Sequence, residues 1–299
     1  MDGIPRRTVI LGTDIGTDID DTWALGLLLK SPELDLELVT TATRDTQYRA
    51  KIVARMLEIA GRTGVSIGIG PRTSDKAGPQ NPWVLDNALE SYPGTVLEDG
   101  VAALVDAIMS SDGQVTLLTI GPLTNIALAL KKEPRIASKA RVVAMLGSIR
   151  VGYDGQLGTA VPEYNVAQDV PACKAVFAAP WEITITPLDT CGTVVLDGER
   201  YAALARSTDP VVEAIIENYE TWNFTRGQTT RPVKSSVLFD TVAVYLAIEE
   251  NLVNMETLRL VIDDAGRMRI DKAGRPCRCA TSWRDLGAYL QWLAARLLG

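Results

Sequence analysis

Four aspartates lie close together near the N-terminus of the chain, in a run of eight residues that holds Asp14, Asp18, Asp20 and Asp21. Carboxylates packed this closely repel one another, and some of them would be forced to keep a proton. A helix N-terminus relieves only about 0.3–1 kcal/mol per acid, whereas a bound divalent cation relieves far more, and Ca²⁺ favours oxygen ligands. The run therefore predicts a cation site. The alternative is a solvated helix start in which Asp18 or Asp20 is the N-cap.

Other common motifs do not account for the acidic run. Trp23 stands where an EF-hand loop requires glycine, and the run lacks the glycine fingerprint of dinucleotide sites. The chain also contains no histidine. Acid–base chemistry near neutral pH must therefore come from a carboxylate, another titratable side chain or a metal-bound water, which excludes Ser-His and Cys-His mechanisms.

The composition is that of a globular protein with an acidic surface. The 299 residues are 46% hydrophobic and 22% charged, with a formal net charge of -7. This charge argues against nucleic acid and against an anionic membrane as partners, because both require clustered Lys and Arg. No apolar run reaches the roughly 18 residues of a transmembrane helix, and no apolar signal segment follows Arg6 and Arg7. We expect a cytoplasmic protein with reduced thiols at Cys173, Cys191, Cys277 and Cys279.

Short β-branched runs alternate with helical patterns along the chain. We predict strands over residues 8–11, 36–43, 65–69, 115–120, 140–145 and 183–185, and a hairpin with arms 258–262 and 268–270. We predict helices over residues 20–30, 47–59, 101–109, 123–130, 169–177, 211–221, 238–248 and 283–298. This alternation predicts one α/β domain over residues 1–299, built on an open, mostly parallel, Rossmann-like sheet with helices on both faces.

The acidic run lies between the first predicted strand and the first predicted helix. Ligands of open α/β sheets bind at the carboxyl ends of the strands, so this is where a binding site is expected. The polar segment 71–99, which contains Pro and Gly, is long for a connection. Such loops are often functional lids, and we predict that role here.

The segment from Asp14 to Asp21 resembles the N-terminal signature of the nucleoside hydrolase family, Asp-x-Gly-x-Asp-Asp, with two additional residues in the turn. Later segments resemble family motifs in the expected order: Gly121-Pro-Leu-Thr-Asn-Ile-Ala127, Met145-Leu-Gly147, Glu163-Tyr-Asn165-Val-Ala-Gln-Asp169 and Leu238-Phe-Asp-Thr-Val-Ala243. The resemblance implies the nucleoside hydrolase fold and Ca²⁺-dependent hydrolysis of the N-glycosidic bond of a ribonucleoside to ribose and free base. It also implies a homo-oligomer, either a dimer or a tetramer.

The same resemblance implies roles for individual residues. Asp20 is the general base that deprotonates a calcium-bound water. The implied calcium ligands are Asp14, Asp21, Asp240 and the carbonyl oxygen of Ile120, and the longer turn makes Asp18 an alternative to Asp14. The implied substrate-binding residues are Asp45, Met145, Glu163 and Asn165. Asp45 stands where the family has an Asn that binds the ribose, and a carboxylate can accept from the same hydroxyls.

Activation of the leaving base has more than one possible source. Phe239 stands in place of a histidine that helps the base to leave in many members of the family. Two routes remain, namely stacking of the base on aromatic rings, or a hydrogen bond from Tyr, Arg or a chain of water molecules. By their location, the candidates are Trp83, Trp222, Phe224, Arg226 and Phe239 itself.

Three alternatives stay open. A family member that binds a nucleoside-like ligand without turnover would explain the missing histidine, although a pure binder has no need of Asp20. A hydrolase of an unusual N-riboside, such as one with a modified base, would explain the same change. A phosphatase of the haloacid dehalogenase type places a second Asp two residues after its nucleophile, whereas Ile15 and Gly16 follow Asp14 here.

Overall fold

Ten β-strands form one open sheet within residues 6–299, the part of the chain that the computed structural model describes. In chain order they are β1 (Arg7–Thr13), β2 (Leu34–Thr41), β3 (Ser66–Ile69), β4 (Val96–Leu97), β5 (Val115–Thr119), β6 (Ala140–Met145), β7 (Ile183–Thr186), β8 (Val253–Ile262), β9 (Met268–Ile270) and β10 (Arg275–Trp283). Their order across the sheet is β4-β3-β2-β1-β5-β6-β7-β10-β8-β9. The strands from β4 to β10 in this order pair in parallel, whereas β8 is antiparallel to both β10 and β9. The predicted open, mostly parallel sheet is confirmed.

Helices cover both faces of this sheet, as predicted. In chain order they are α1 (Asp20–Leu29), α2 (Thr46–Ile59), α3 (Gly100–Ser110), α4 (Thr124–Lys132), α5 (Tyr164–Gln168), α6 (Val170–Ala178), α7 (Leu188–Cys191), α8 (Gly198–Ala205), α9 (Pro210–Thr225), α10 (Thr241–Ile248) and α11 (Leu286–Leu298). Successive side chains of a strand point to opposite faces, so Val9 and Leu11 of β1 join one apolar cluster and Ile10 joins the other. Helices α1, α2, α9, α10 and α11 contribute to the first cluster, and α3, α4 and α6 to the second.

Helix α1 is buried along almost its whole length, from Asp20 to Leu28. It packs against α9, α10 and α11. An apolar residue such as Leu25, which is fully buried here, contributes about 1.5–3 kcal/mol to such packing. The two acids that begin this helix are therefore attached to one of the most enclosed elements of the fold.

The sheet order brings distant parts of the chain to one edge. Strands β1, β5 and β6 are neighbours in the centre of the sheet and run in parallel, so their carboxyl ends lie side by side. The acidic turn follows β1, Ile120 follows β5, and Met145 ends β6. Helix α10 lies against β5 and β6, which brings Asp240 at its N-cap to the same edge.

Several elements differ from the predictions. The helix predicted over 283–298 begins only at Leu286, because Trp283 is the last residue of β10 and Asp285 caps the helix by accepting from the N–H of Ala288, 2.8 Å away. Strand β10 was not predicted, since its arginines interrupt the apolar pattern. Helices α5, α7 and α8 were also not predicted, because two of them span barely one turn and the third lies in a stretch with a weak apolar pattern. No helix in residues 6–299 combines the length and the apolar character needed to cross a bilayer.

Candidate active site

A pocket of about 280 Å³ opens at the carboxyl edge of the central strands. Its walls come from the turn between β1 and α1, the ends of β5 and β6, the segment 153–165 and the start of α10. The lining residues are Asp14, Thr17, Asp18, Asp20, Asp21, Ile120, Met145, Tyr153, Glu163, Tyr164, Asn165, Phe239 and Asp240. All six residues predicted to bind a metal or to act as the base are among them, together with four of the predicted substrate-binding residues, Met145, Glu163, Asn165 and Phe239.

The carboxylates of Asp20, Asp21 and Asp240 form the tightest acidic group of the pocket. Each of them offers one oxygen, and these oxygens lie within 4.8 Å of one another. Asp20 and Asp21 are consecutive residues in the first turn of α1, where negative charge is favoured by the helix dipole. The hydroxyl of Thr13, at the end of β1, donates a hydrogen bond to Asp21. The sheet and two helices thus hold three buried acids around one point.

Burial makes ionisation of this group unfavourable without a compensating cation. It raises the pKa values of Asp20, Asp21 and Asp240 well above their ordinary values, and the neighbouring carboxylates raise them further. A hydrogen bond between the carboxyls of Asp20 and Asp240 requires a proton on one of them. Burial also raises the pKa of Asp14 to about 6, against the lowering effect of Arg49. A divalent cation would remove the need for these protons.

The donor set fits a hard divalent cation. The atoms available are carboxylate oxygens and the carbonyl oxygen of Ile120, which already accepts a hydrogen bond from the side-chain amide of Asn165 at 3.1 Å. Oxygen-only sets of this kind suit cations such as Ca²⁺ or Mg²⁺ rather than Zn²⁺, which favours nitrogen and sulfur. Gly121 allows the chain after β5 to approach closely, because a Cβ at this position would lie 2.9 Å from Asp14 Oδ1. The buried carboxylates can therefore hold a metal ion.

Asp14 and Asp18 occupy different environments. Asp14 is buried, and its Oδ2 lies 3.6 Å from the guanidinium of Arg49, which is itself buried. Asp18 is exposed at the mouth of the pocket, where its Oδ1 accepts the N–H of Ile19 at 2.8 Å. Helix α1 has Ile19 as its N-cap and no side-chain capping bond. A solvated helix start capped by Asp18 or Asp20 is therefore not what the chain forms.

Glu163 and Asn165 join the ends of the strands while they line the pocket. The carboxylate of Glu163 accepts from the backbone N–H groups of Gly147, Asn165 and Val166 at 2.8–3.3 Å. Burial nevertheless raises the pKa of Glu163 to about 7. The Asn165 amide donates to the carbonyls of Ile120 and Met145, at 3.1 and 3.2 Å. These bonds fix the orientation of both side chains before any ligand binds.

Asp45 does not line the pocket. It is the N-cap of α2, where it accepts from the N–H of Tyr48 at 3.1 Å and pairs with Arg72 at 3.0 Å. The two residues before it, Thr43 and Arg44, have φ values of 60° and 51°. This left-handed backbone conformation is uncommon for residues other than Gly, Asn and Asp. Contact of Asp45 with a sugar stays a prediction.

The other aromatic and cationic residues predicted by location lie outside the pocket lining. Trp83 is buried beneath Arg55, whose guanidinium is 4.1 Å from the ring centre. Trp222 is buried and donates its indole N–H to the carbonyl of Thr17 at 3.2 Å, and Arg226 stacks on its ring. Phe224 is 48% exposed. The segment 71–99 contributes no lining residue either, although Gln80 donates to the carbonyl of Asp18. Contact of these four residues with a substrate stays a prediction, and so does the role of the segment 71–99 as a lid.

Two tyrosines that were not singled out in the sequence line the pocket. Tyr153 packs edge-on against Phe239, with ring centres 6.1 Å apart, and its hydroxyl accepts the N–H of Tyr164 at 3.0 Å. The hydroxyl of Tyr164 is buried and has no hydrogen-bond partner among residues 6–299. Tyr164 lies inside the Glu163-Tyr-Asn165 motif, so its position in the pocket could have been predicted from the sequence. Tyr153 lies in a glycine-containing loop after β6, and nothing in its local sequence indicated that it returns to the pocket.

Comparison with known proteins relates this site to a family. The family model described as inosine-uridine preferring nucleoside hydrolase matches residues 9–288. The chain is 28% identical over 296 residues to the inosine-uridine preferring nucleoside hydrolase of Crithidia fasciculata, with 89% of this chain and 86% of the relative covered. Among solved structures, the plant nucleoside hydrolase PpNRh1 is similar with a TM-score of 0.82 at 22% identity, over 99% of this chain and 100% of that one. A purine-preferring ribonucleoside hydrolase from Gardnerella vaginalis is similar with a TM-score of 0.76 at 22% identity, over 98% of each chain. The expected fold is thereby confirmed, and the chain belongs to the inosine-uridine preferring nucleoside hydrolase family.

Proposed function

We propose that the protein hydrolyses the N-glycosidic bond of a ribonucleoside, or of a related N-riboside, to ribose and free base, with Ca²⁺ as its cofactor. The observation that carries this proposal is the buried group of Asp20, Asp21 and Asp240 at the floor of a pocket large enough for a small ligand. Membership of the family supports it, because several relatives are named as nucleoside or ribonucleoside hydrolases. We also expect a homo-oligomer, which light scattering after gel filtration would measure.

The residues of the pocket divide the chemistry between them. The calcium ligands would be Asp14, Asp21, Asp240 and the carbonyl of Ile120. When bound, the ion would orient the attacking water and lower its pKa. Asp20 would take the proton of that water, from a position beside the ligands Asp21 and Asp240. The remaining carboxylates would stabilise the positive charge that develops on the sugar as the C–N bond breaks.

The sugar would lie on the side of the pocket that carries Asp14, Asp20, Asp21, Asp240 and Glu163, which we call the acidic wall. Glu163 and Asn165 line that wall with orientations fixed by their backbone partners, so their free acceptor positions can meet sugar hydroxyls without reorganisation. Met145 supplies an apolar surface beside them. Asp45 would contribute only if the pairing with Arg72 opened, and we keep it as a secondary candidate.

A sugar-release assay tests the proposal. Purified protein would be incubated with purine, pyrimidine and modified ribonucleosides in the presence of Ca²⁺ and, in parallel, with a chelator, and the release of reducing sugar would be measured. We expect release from at least one ribonucleoside and its loss with the chelator, restored by added Ca²⁺. A protein that binds Ca²⁺ yet releases no sugar from any of these substrates would contradict the proposed reaction.

Binding without turnover is the second candidate function. The specific observation in its favour is Phe239, which lines the pocket where the resemblance places a base-activating histidine. Calorimetric titration with the same ribonucleosides separates the two candidates. Tight binding without sugar release would favour the binder, whereas release at any rate above the chelated control would favour the hydrolase.

The thermal stability of the metal-free protein should fall as the pH rises. A carboxyl whose pKa is raised in the folded state contributes stability below its unfolded pKa, and this contribution is lost as the pH passes its folded pKa. For Asp14 the rise from 3.8 to about 6 corresponds to about 3 kcal/mol, and Glu163, raised to about 7, adds to the effect. We therefore expect the melting temperature in chelator to decrease by several degrees between about pH 4 and 7.

Added Ca²⁺ should remove most of this loss, because the ion supplies the positive charge that the buried carboxylates lack. Differential scanning fluorimetry with Ca²⁺ and with chelator measures both effects. Asp264→Asn is a suitable control, since that side chain is fully exposed and should keep both trends. A metal-free melting temperature that rises across this pH range would contradict the interpretation.

A further inference from the structure

Opposite chemistry marks two sides of the pocket: the acidic wall, and an aromatic wall formed by Tyr153 and Phe239. The two walls adjoin at Phe239 and Asp240, which are consecutive in the chain. Asp240 belongs to the acidic group, and Phe239, directly before it, faces Tyr153 across an edge-on contact with an interplanar angle of 84°. If the proposed function holds, the sugar hydroxyls lie on the acidic wall near the cation. The base, which projects from the anomeric carbon away from those hydroxyls, then lies against Tyr153 and Phe239.

A base that leaves as an anion is a poor leaving group, so it needs a proton or a hydrogen bond on nitrogen as the C–N bond breaks. The chain contains no histidine to supply one. Phe239 has no polar atom, and Trp222 and Arg226 lie outside the pocket lining. Among the side chains that line this wall, the hydroxyl of Tyr153 is the group that could supply the proton.

Tyr153 carries a phenolic hydroxyl that is protonated and free to donate. Its hydroxyl oxygen accepts the backbone N–H of Tyr164 at 3.0 Å, which directs the phenolic proton away from that bond. Among residues 6–299 this hydroxyl has no protein acceptor for its proton. Burial, and the carboxylates of Glu163 and Asp20, raise the pKa of Tyr153, so the phenol keeps its proton at neutral pH. Tyr153 as a whole residue is 55% exposed, so solvent can return a proton to it.

The loop that carries Tyr153 is held in place without a ligand. Val151 and Leu157 form an antiparallel bridge on either side of it. The N–H of Gly152 donates to the hydroxyl of Thr159 at 3.0 Å, and the turn between the two arms contains Gly155 at a φ of 73°. Together with the contact to Phe239, these bonds fix the position of the phenol beside the pocket.

Tyr164, the other tyrosine of the pocket, fits the opposite wall. Its hydroxyl is buried and unpartnered among the described residues, which makes it a candidate partner for a ligand. In the chain it lies between Glu163 and Asn165, which line the acidic wall. Tyr164 is therefore placed to meet the sugar, and Tyr153 to meet the base.

We propose that Tyr153 donates its phenolic proton to the leaving base. This inference rests on the proposed function. As the C–N bond breaks, its electron pair moves onto the base nitrogen, which takes the proton of the Tyr153 hydroxyl. The water oxygen forms the new bond to the anomeric carbon and gives one proton to Asp20. Solvent then reprotonates the tyrosinate and removes the proton from Asp20, so that one water is consumed for each ribose and neutral free base released.

A pair of substrates tests the role of Tyr153. Tyr153→Phe keeps the ring and its contact with Phe239 but removes the proton. We expect kcat for the best ribonucleoside to fall by about 10²–10³-fold, in the range of one general acid. A 4-nitrophenyl riboside carries a leaving group that departs as a stabilised anion, so its kcat should change less than about 3-fold, because no donor is needed. KM should change little for either substrate.

Tyr201→Phe is the matched control, because Tyr201 is buried in α8 outside the pocket and its hydroxyl donates no bond among the described residues. It should leave both substrates unaffected. Equal losses of kcat on both substrates in Tyr153→Phe would reduce Tyr153 to a positioning residue and overturn the inference, as would unchanged hydrolysis of the ribonucleoside. A wild-type protein that cleaves neither substrate would instead overturn the proposed function itself.

Discussion

Replacement of Asp20 by Asn is expected to lower kcat by about 10³-fold, the contribution of one positioned general base, while the protein keeps its calcium. Asn has almost the same shape as Asp and keeps one carbonyl oxygen, but it cannot take a proton from water at neutral pH. Asp20 makes no side-chain capping bond at the start of α1, so the exchange removes no helix cap. The burial that raises its pKa also makes this carboxylate a stronger base than an exposed one.

The measurement combines steady-state kinetics on the best ribonucleoside with calorimetric titration of Ca²⁺. The matched control is Asp264→Asn, which makes the same exchange at a fully exposed position outside the pocket lining and should keep kcat within about 3-fold, as expected for a solvated charge. If Asp20→Asn retains a substantial part of the activity at saturating Ca²⁺, Asp20 is not the base. If it loses activity only because Ca²⁺ no longer binds, Asp20 is a metal ligand instead.

The predictability of the fold depended on the length and regularity of each apolar pattern. The strand predicted over 140–145 has the observed bounds of β6, because a short apolar run broken only by Arg141 is typical of a parallel strand that is buried on both faces. Strand β10 alternates correctly, with Cys277 and Cys279 buried and Arg278 exposed, but Pro276 and the arginines concealed this period. Its pairing with both β7 and β8 depends on tertiary contacts that no local pattern records.

The acidic half of the site could be predicted for a general physical reason. The strand that ends at Thr13 and the helix that starts at Asp20 were both recognisable, and the carboxyl ends of parallel strands are where such sheets bind ligands. Asp240 was different, because it is 219 positions beyond Asp21 in the chain, and only the family resemblance indicated that it joins the same group.

The aromatic half could not be predicted in the same way. Trp83 and Trp222 were chosen by their place in the sequence, but large apolar rings are most often used in packing, and both of these are buried outside the pocket lining. Tyr153 reaches the pocket because its loop folds back through a two-residue bridge and one edge-on ring contact. The course of this loop is determined by the tertiary contacts that it makes, and its own sequence does not reveal them.

The ambiguity over the first metal ligand leads to a paired prediction. Asp14→Asn is expected to weaken calcium binding by about 100-fold, which is about 2.7 kcal/mol, because it removes a full negative charge from a buried oxygen site. Asp18→Asn should change the affinity by less than about 3-fold, since Asp18 is exposed, its charge is screened by solvent, and one of its oxygens already accepts from Ile19. Calorimetric titration of the two variants with Ca²⁺ measures this difference without relying on activity.

The packing of the turn explains why the two aspartates should differ. Ile15 and Ile19 are both fully buried, so the lengthened turn is anchored in the core at each end and keeps Asp14 at the end of β1 while Asp18 faces solvent. Arg49 should not prevent folding of Asp14→Asn, because it still donates to the carbonyls of Ile15 and Thr43 at 2.7 and 2.9 Å. Melting temperatures in chelator that are equal to or above that of the wild type would verify this, since Asn removes the buried charge of Asp14. A larger loss of affinity in Asp18→Asn than in Asp14→Asn would mean that the turn rearranges around the ion and that Asp18 is the ligand.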